Sequence, residues 1–372
     1  MRIGIDVSSL CSKWDGIGTY LMDMINYINN LENNQEEVYL YSNLPTLNPL
    51  PTNARFVIRE GQCENHLKWM LLYLPKMMKA DELDVFWQPN YLMPIKIKGI
   101  KNVITVHDVS AYAYSSYSTP KITLLHKLFL KPSCKKADLI LAISKDGANE
   151  IHKHLDVPRS KIKTIYIGKK MFKNGLDATE EEVKKCLKSY HALKKQYLLF
   201  VGTLSPRKNA EVIIKGFIEY KNSGGKSKLL VAGKVASNCE NLIKTIQKSE
   251  WREDIILTGY ISEKEKRILY YNASMLLFPS RIEGFGFPLL EGMQAEIPVI
   301  TSNTSCMPEI AENGAIYLNN IDSYVELAQR IYDVEKMEVT ERKNLIERGK
   351  KRVEYFEQMN YSRQVFDELI NV

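Results

Sequence analysis

Short apolar runs alternate with amphipathic stretches along the whole chain. RIGIDV at residues 2–7 is the first such run, and others follow at residues 38–41, 55–58, 84–87, 102–106, 139–143 and 162–167. Brief apolar runs bounded by turn residues predict strands covered on both faces. Strands that alternate with helical segments predict a parallel sheet. The pattern stops at a polar, lysine-rich stretch, residues 169–195, in which Thr179 ahead of Glu180, Glu181 and Glu182 marks a capped helix start. It then restarts, with strand candidates at residues 197–201, 228–232, 255–257, 274–278, 298–301 and 315–318. The expectation is an α/β chain of two Rossmann-like, doubly wound domains: residues 1–170, a connection at 171–195, and a second domain at 196–354. Residues 340–372 are helical in pattern and charged, with a weak point at 359–362. A terminal helix of about residues 355–372 is expected to cross back and join the first domain.

Composition narrows the class. At 372 residues the chain exceeds what one hydrophobic core organises, and 45% hydrophobic with 26% charged residues excludes a disordered or fibrous protein. Six cysteines are scattered without a CxxC pair or a metal-ligand spacing to histidine, which predicts reduced thiols and a cytoplasmic setting. The N-terminal run is broken by Asp6, so it predicts a strand and not a secretory signal, and no apolar run is long enough to span a bilayer.

The net charge of +7 is unevenly placed. Residues 68–136 hold eleven lysines against four acidic residues, an excess equal to that of the whole chain. In KWMLLYLPKMMK (68–79), KIKGIK (96–101) and KITLLHKLFLK (121–131) these lysines stand among apolar and aromatic residues. Such stretches suit peripheral association with an anionic membrane, and equally suit core-packing helices with lysines at their rims. Nucleic acid is disfavoured, because the basic excess is small and no recognition motif accompanies it.

Candidate chemistry concentrates in PSRIEGFGFPLLEGMQAEIPV, residues 279–299. The apolar run at 273–278 is stopped by Pro279. Gly284 and Gly286 permit a sharp turn and close ligand approach, and Pro288 suits the first position of a helix. The backbone N–H groups of Leu289, Leu290 and Glu291 would then face a phosphate or sugar oxygen. Glu291 is itself an anion there, so it fits better as an acceptor for the hydroxyls of a ribose, with Glu283 accepting from a second polyol. The plainer alternative is that Glu291 complements the helix dipole and Glu283 is solvated. In VGTLSPRKN, residues 201–209, Gly202 closes a strand and Arg207 and Lys208 are placed for diphosphate oxygens, or are solvated surface charges. The strand at 102–106 runs into His107 and Asp108, which puts His107 at the carboxyl edge of a parallel sheet, where ligands bind. SKWDGIGTY, residues 12–20, reads as a glycine-bearing turn with Gly16 and Gly18, feeding a helix at 20–31. Its spacing is not GxGxxG, which disfavours a nicotinamide cofactor.

Taken together, GIGTY, VHD, AISK (142–145), GTLSPRKN, AGK (232–234), TGY (258–260) and EGFGFPLLE resemble the family 4 retaining glycosyltransferases of bacterial surface-polysaccharide type. The resemblance implies the GT-B fold, two Rossmann-like domains facing each other across a deep cleft, and hexosyl transfer from a GDP- or UDP-sugar to a glycan or lipid-linked saccharide. It implies that Glu283 contacts the donor sugar, that Phe285, Gly286, Phe287 and Leu290 hold sugar and phosphate through backbone groups, and that Glu291 holds the ribose. Lys208 matches the family's diphosphate lysine. The arginine often found after the strand glycine Gly202 is Thr203 here, which leaves open whether Arg207 compensates. His107 matches a histidine near the donor sugar, Gly16 a glycine close to the diphosphate and acceptor, and Lys234, Gly259 and Tyr260 the lining of the base pocket. No cofactor and no metal are implied, and no DxD element is present. The competing readings are a GT-B phosphorylase or epimerase, and a non-catalytic two-lobed sugar-binding protein.

Overall fold

The structure is a computed structural model and describes residues 1–372 except 13–15, 33–34, 52, 54, 93–95, 169–171 and 173–174. Part of the 12–20 turn and part of the 169–195 stretch therefore lie outside the described residues. The chain divides into two compact units, Met1–Gly168 with Met359–Val372, and Lys169–Gln358.

The first unit is built on β1 (Arg2–Asp6), β2 (Glu37–Ser42), β3 (Phe56–Glu60), β4 (Val85–Gln88), β5 (Lys101–Val106), β6 (Leu139–Ala142) and β7 (Ile162–Thr164). They form one parallel sheet in the order β3-β2-β1-β4-β5-β6-β7. The second unit holds β8 (Tyr197–Val201), β9 (Lys228–Ala232), β10 (Ile255–Gly259), β11 (Met275–Phe278), β12 (Val299–Ser302) and β13 (Ile316–Leu318), in the order β10-β9-β8-β11-β12-β13. The central strands of both sheets are buried on both faces, which is why they read as unbroken apolar runs and not as alternating ones. In each sheet the strand order reverses at one place, between β1 and β4 and between β8 and β11. Loops at the carboxyl ends of the strands flanking such a reversal diverge and leave a crevice.

The helix expected at 20–31 is Gly16–Asn29. Gly18, Tyr20, Leu21, Met24, Ile25 and Ile28 are its buried residues, a helical period that extends one turn further back than the apolar pattern suggested. Gly16 and Gly18 are thus helical residues and not turn residues. The capped start at Thr179 is present as a full capping box with Glu182, and this helix, Glu180–Ser189, belongs to the second unit, where Lys264 pairs with Glu182.

The terminal segment breaks at residues 358–360, between helices Val339–Glu357 and Tyr361–Asn371. The return to the first unit falls at Met359 and not at about 355, because Phe356 is core of the second unit, edge-on to Phe285 at 5.4 Å. Tyr361 then stacks on Tyr20 at 5.4 Å, and its hydroxyl donates to Asp23 at 3.0 Å.

Candidate active site

In the second unit the residues after β8 and β11, the two strands at the reversal, meet. Arg207 donates from Nη1 to Glu283 Oε2 at 3.0 Å and to the Ile282 carbonyl at 3.0 Å. Lys208 Nζ lies 2.6 Å from Glu283 Oε1 as an ion pair and 4.4 Å from the centre of the Phe278 ring. Lys208 and Glu283 are 9% and 8% exposed and Arg207 is half-buried, so the site is a buried ion pair flanked by a second, partly exposed cation. Burial pushes the Glu283 carboxyl up, but the charges of Lys208 and Arg207 outweigh it and hold it below its ordinary range. Burial, with Arg207 alongside, takes the Lys208 ammonium below its ordinary value despite the attraction of Glu283.

Glycines finish the neighbouring strands. Gly202 after β8 has φ +129°, Gly233 after β9 has φ +149°, and Gly259 at the end of β10 has φ +68°. Gly233 packs so closely that an added Cβ would sit 2.1 Å from the Gly202 carbonyl oxygen, and it bridges to Gly259. Three adjacent strand ends therefore present bare backbone on the same edge as the charged trio. Thr203 and Lys234 are exposed beside them, and Tyr260 is 63% exposed.

After β11 the chain turns at Gly286, φ +87°, into helix Phe287–Gln294, where Pro288 is the second helical residue and not the first. The Leu289 N–H donates to the Gly286 carbonyl at 3.0 Å, and Leu290 and Glu291, the fourth and fifth residues of the helix, turn their N–H groups back into its own ladder, so the three N–H groups expected to face a ligand are taken up within the helix. The side chains of Phe285 and Leu290 are buried, Phe285 against Phe287 at 5.1 Å and against Phe356, so neither residue presents its side chain to a ligand. Glu291 is 9% exposed; Oε1 accepts from Lys266 Nζ at 3.0 Å and Oε2 from the Tyr270 hydroxyl at 2.7 Å. Burial pulls the Lys266 ammonium down, yet Glu291 and Glu263 hold it above its ordinary value. Each oxygen of the Glu291 carboxylate keeps a second lone pair, which suits a diol.

His107 and Gly16 lie in the first unit. His107 is 8% exposed, with Nε2 against the Pro89 carbonyl at 2.8 Å and its ring edge-on to Tyr20 at 5.3 Å. Tyr20 is on the helix that Gly16 opens, so the two predicted residues share one neighbourhood. Among the described residues, no group of three or more His, Cys, Asp or Glu side chains is placed to hold a metal ion.

Residues 14–168 match the model of Glycosyltransferase Family 4, and residues 184–352 match that of glycosyl transferases group 1. The chain belongs to the family 4 glycosyltransferases. It is similar to O-antigen chain mannosyltransferase B of Escherichia coli, 24% identical over 242 residues, 64% of this chain and 62% of that one. It is also similar to O-antigen chain mannosyltransferase RfbU of Salmonella typhimurium, 30% identical over 219 residues, 59% and 57% of the two chains. The match thus spans about three fifths of the length of these relatives. Anabaena HepE, solved in complex with UDP and glucose, aligns over 100% of both chains with a TM-score of 0.72 at 15% identity, a likeness of fold, and that fold is GT-B.

Within this family 4 chain, four residues of the candidate site had little or no signal in the sequence. Lys266 and Tyr270 stand four residues apart on helix Glu263–Asn272, a spacing that aims both at Glu291 but is common on any helix. Gly233 was visible only as part of AGK. Ser305, φ +52°, accepts from the Glu283 N–H at 3.3 Å and donates to the Glu283 carbonyl at 3.1 Å; its one trace in the sequence is the polar run TSNTSC after an apolar strand.

Proposed function

We propose that the chain moves a hexosyl group, with retention of configuration and without a metal ion, from a GDP- or UDP-linked sugar to a glycan or lipid-linked saccharide in bacterial surface-polysaccharide synthesis. The observation that carries this reading is the Arg207–Lys208–Glu283 trio, with Lys208 and Glu283 buried, at the strand reversal of the second unit. A diphosphate leaving group gains negative charge as it departs, and two fixed cations in a water-poor site stabilise that change most where it develops. Arg207 takes the place that Thr203 does not fill, and Lys208 supplies a point charge. Glu283, held ionised between them, accepts from donor-sugar hydroxyls, and Glu291 accepts from the ribose. Gly202, Gly233 and Gly259 let the nucleotide lie on backbone, with Tyr260 and Lys234 beside the base.

In the step itself the bond from sugar C1 to the β-phosphate oxygen breaks and the bond from C1 to the acceptor oxygen forms on the same face. The acceptor proton passes to the departing phosphate oxygen, so no protein carboxylate serves as nucleophile. His107, buried at the carboxyl end of β5, matches by the resemblance a histidine near the donor sugar. The relatives named as O-antigen mannosyltransferases support a mannosyl donor and a surface-glycan product. A cytoplasmic site of action at the inner face of the plasma membrane fits that product. Among the described residues, no helix is long and apolar enough to cross a membrane.

The test is a thermal-shift series with GDP, UDP, ADP, GDP-mannose and UDP-glucose. A ligand that binds only the native state raises the melting temperature, by an amount that grows with its concentration over Kd. The reading expects a rise with one base and a larger one with its sugar nucleotide, and transfer that collapses in Glu283→Ala. No shift with any nucleotide, or full turnover by Glu283→Ala, rejects it.

A further inference from the structure

The segment that carries Glu283 has neither strand nor helix between the end of β11 and Phe287, yet its carboxylate sits at contact distance from two cations. Backbone pairing between β11 and β12 ends at Phe278 and Thr301. Beyond that point side chains of residues 301–306 take over. Thr301 Oγ1 donates to the Phe278 carbonyl at 2.9 Å, Ser302 Oγ to Ser280 at 2.5 Å, and Thr304 Oγ1 to Arg281 at 3.2 Å. Ser305 Oγ and Cys306 Sγ then both reach the Glu283 carbonyl, at 3.1 and 3.3 Å. The result is a comb of hydroxyls that continues the sheet where its ladder has stopped.

Ser305 differs from the other teeth. Its hydroxyl both donates to the Glu283 carbonyl and accepts from the Glu283 N–H, so it grips the residue from both ends of its own backbone. It does so at φ +52°, a conformation that costs a non-glycine residue free energy and that persists where the surroundings demand it. Glycine would adopt that angle without strain but could not make either bond.

We propose that Ser305 is the positioning residue for Glu283, fixing the carboxylate where it meets the donor sugar, with Thr301, Ser302 and Thr304 holding the approach to it. The inference rests on the reading of Glu283 as the donor-sugar contact. If the comb served stability alone, loosening it would weaken nucleotide and sugar nucleotide alike. If it positions Glu283, loss of the Ser305 hydroxyl falls on the sugar.

The experiment uses the full chain with Ser305→Ala and Ser305→Gly, and GDP and GDP-mannose as probes, with UDP and UDP-glucose as the second arm. Both variants are expected to weaken sugar-nucleotide binding about tenfold while nucleoside diphosphate binding changes by less than about twofold. Ser305→Gly removes the backbone strain as well as the hydroxyl, so its agreement with Ser305→Ala ties the loss to the hydroxyl. An unchanged ratio of the two affinities overturns the proposal, whether both fall together or neither moves. If the wild-type chain binds no nucleotide, a 13C titration of the Glu283 carboxyl, assigned by its loss in Glu283→Gln, still decides. Wild type should deprotonate below the ordinary glutamate range and Ser305→Ala closer to it; coincident titrations overturn the proposal.

Discussion

Lys208 and Glu283 are each other's solvent. Taking two charges out of water is unfavourable, and their mutual attraction recovers that loss only while both are present. Glu283→Gln leaves Lys208 buried beside Arg207 without its carboxylate, and should lower stability at neutral pH by about 3–5 kcal/mol in urea denaturation. Lys208→Met with Glu283→Gln should recover most of it, because the orphaned cation is gone. The pH dependence has a definite sign. The folded Glu283 carboxyl titrates below its ordinary value, so its contribution is fully present above that ordinary value and is lost as pH falls through the folded one. The difference in stability between wild type and Glu283→Gln should therefore be largest near neutrality and shrink in acid. A difference that grows as pH falls would mean the carboxyl is not held ionised by its two cations.

Strand ends decide what the sheet edge can accept. At Gly233 the obstacle to a side chain is backbone, the Gly202 carbonyl at 2.1 Å, and φ is +149°. Gly233→Ala should cost about 3 kcal/mol or more and lower nucleotide affinity, because the two loops must part. Gly16, with nothing within 4 Å of an added Cβ and a helical backbone, gives the opposite expectation. Gly16→Ala should leave the melting temperature unchanged or slightly raised; if turnover is also unchanged, Gly16 has no close contact with diphosphate or acceptor. Elements of this kind differ in how far they can be read from residues. The strands were legible because burial on both faces leaves runs such as YLLFV and MLLF with no polar residue to confuse the period. The Glu283 and Glu291 loop was legible because glycine and proline punctuate it. The first turn of helix Gly16–Asn29 was not, because its glycines read as a turn until tertiary contacts show Gly18 buried. Lys266, Tyr270 and Ser305 were not, because each acts on a residue far along the chain, and nothing local marks that partner.

On the scale of the molecule, each unit has its own core, one around Tyr41, Phe86 and Ile104 and the other around Phe200, Phe217 and Leu277. A nucleotide held by the second unit should move one calorimetric transition and leave the other in place. The lysine-rich segment 68–136 lies in the first unit, and each of the two meanings it allowed has a counterpart in the structure there. Helix Pro120–Lys136 buries Thr123, His126, Leu130 and Cys134 on one side, as a core-packing helix does. Ile122, Leu124 and Leu128 nevertheless stay exposed, the last two at 58% and 57%, as do Leu72 and Tyr73 on the π-turn Trp69–Tyr73. Apolar side chains facing outward among Lys121, Lys127, Lys131 and Lys135 are poorly suited to water and well suited to an anionic lipid surface, where each lysine is worth about 1 kcal/mol and the apolar tips enter the headgroup layer. The chain should therefore sediment with vesicles containing phosphatidylserine at low salt. It should be released as salt rises toward about 1 M, where the Debye length falls to about 3 Å. Leu124→Ser with Leu128→Ser should reduce the binding that remains at intermediate salt, since that part is hydrophobic. Binding equal on neutral and anionic vesicles would return the lysines to the role of a solvated rim, and none at any salt would leave Leu124 and Leu128 without a lipid partner as well.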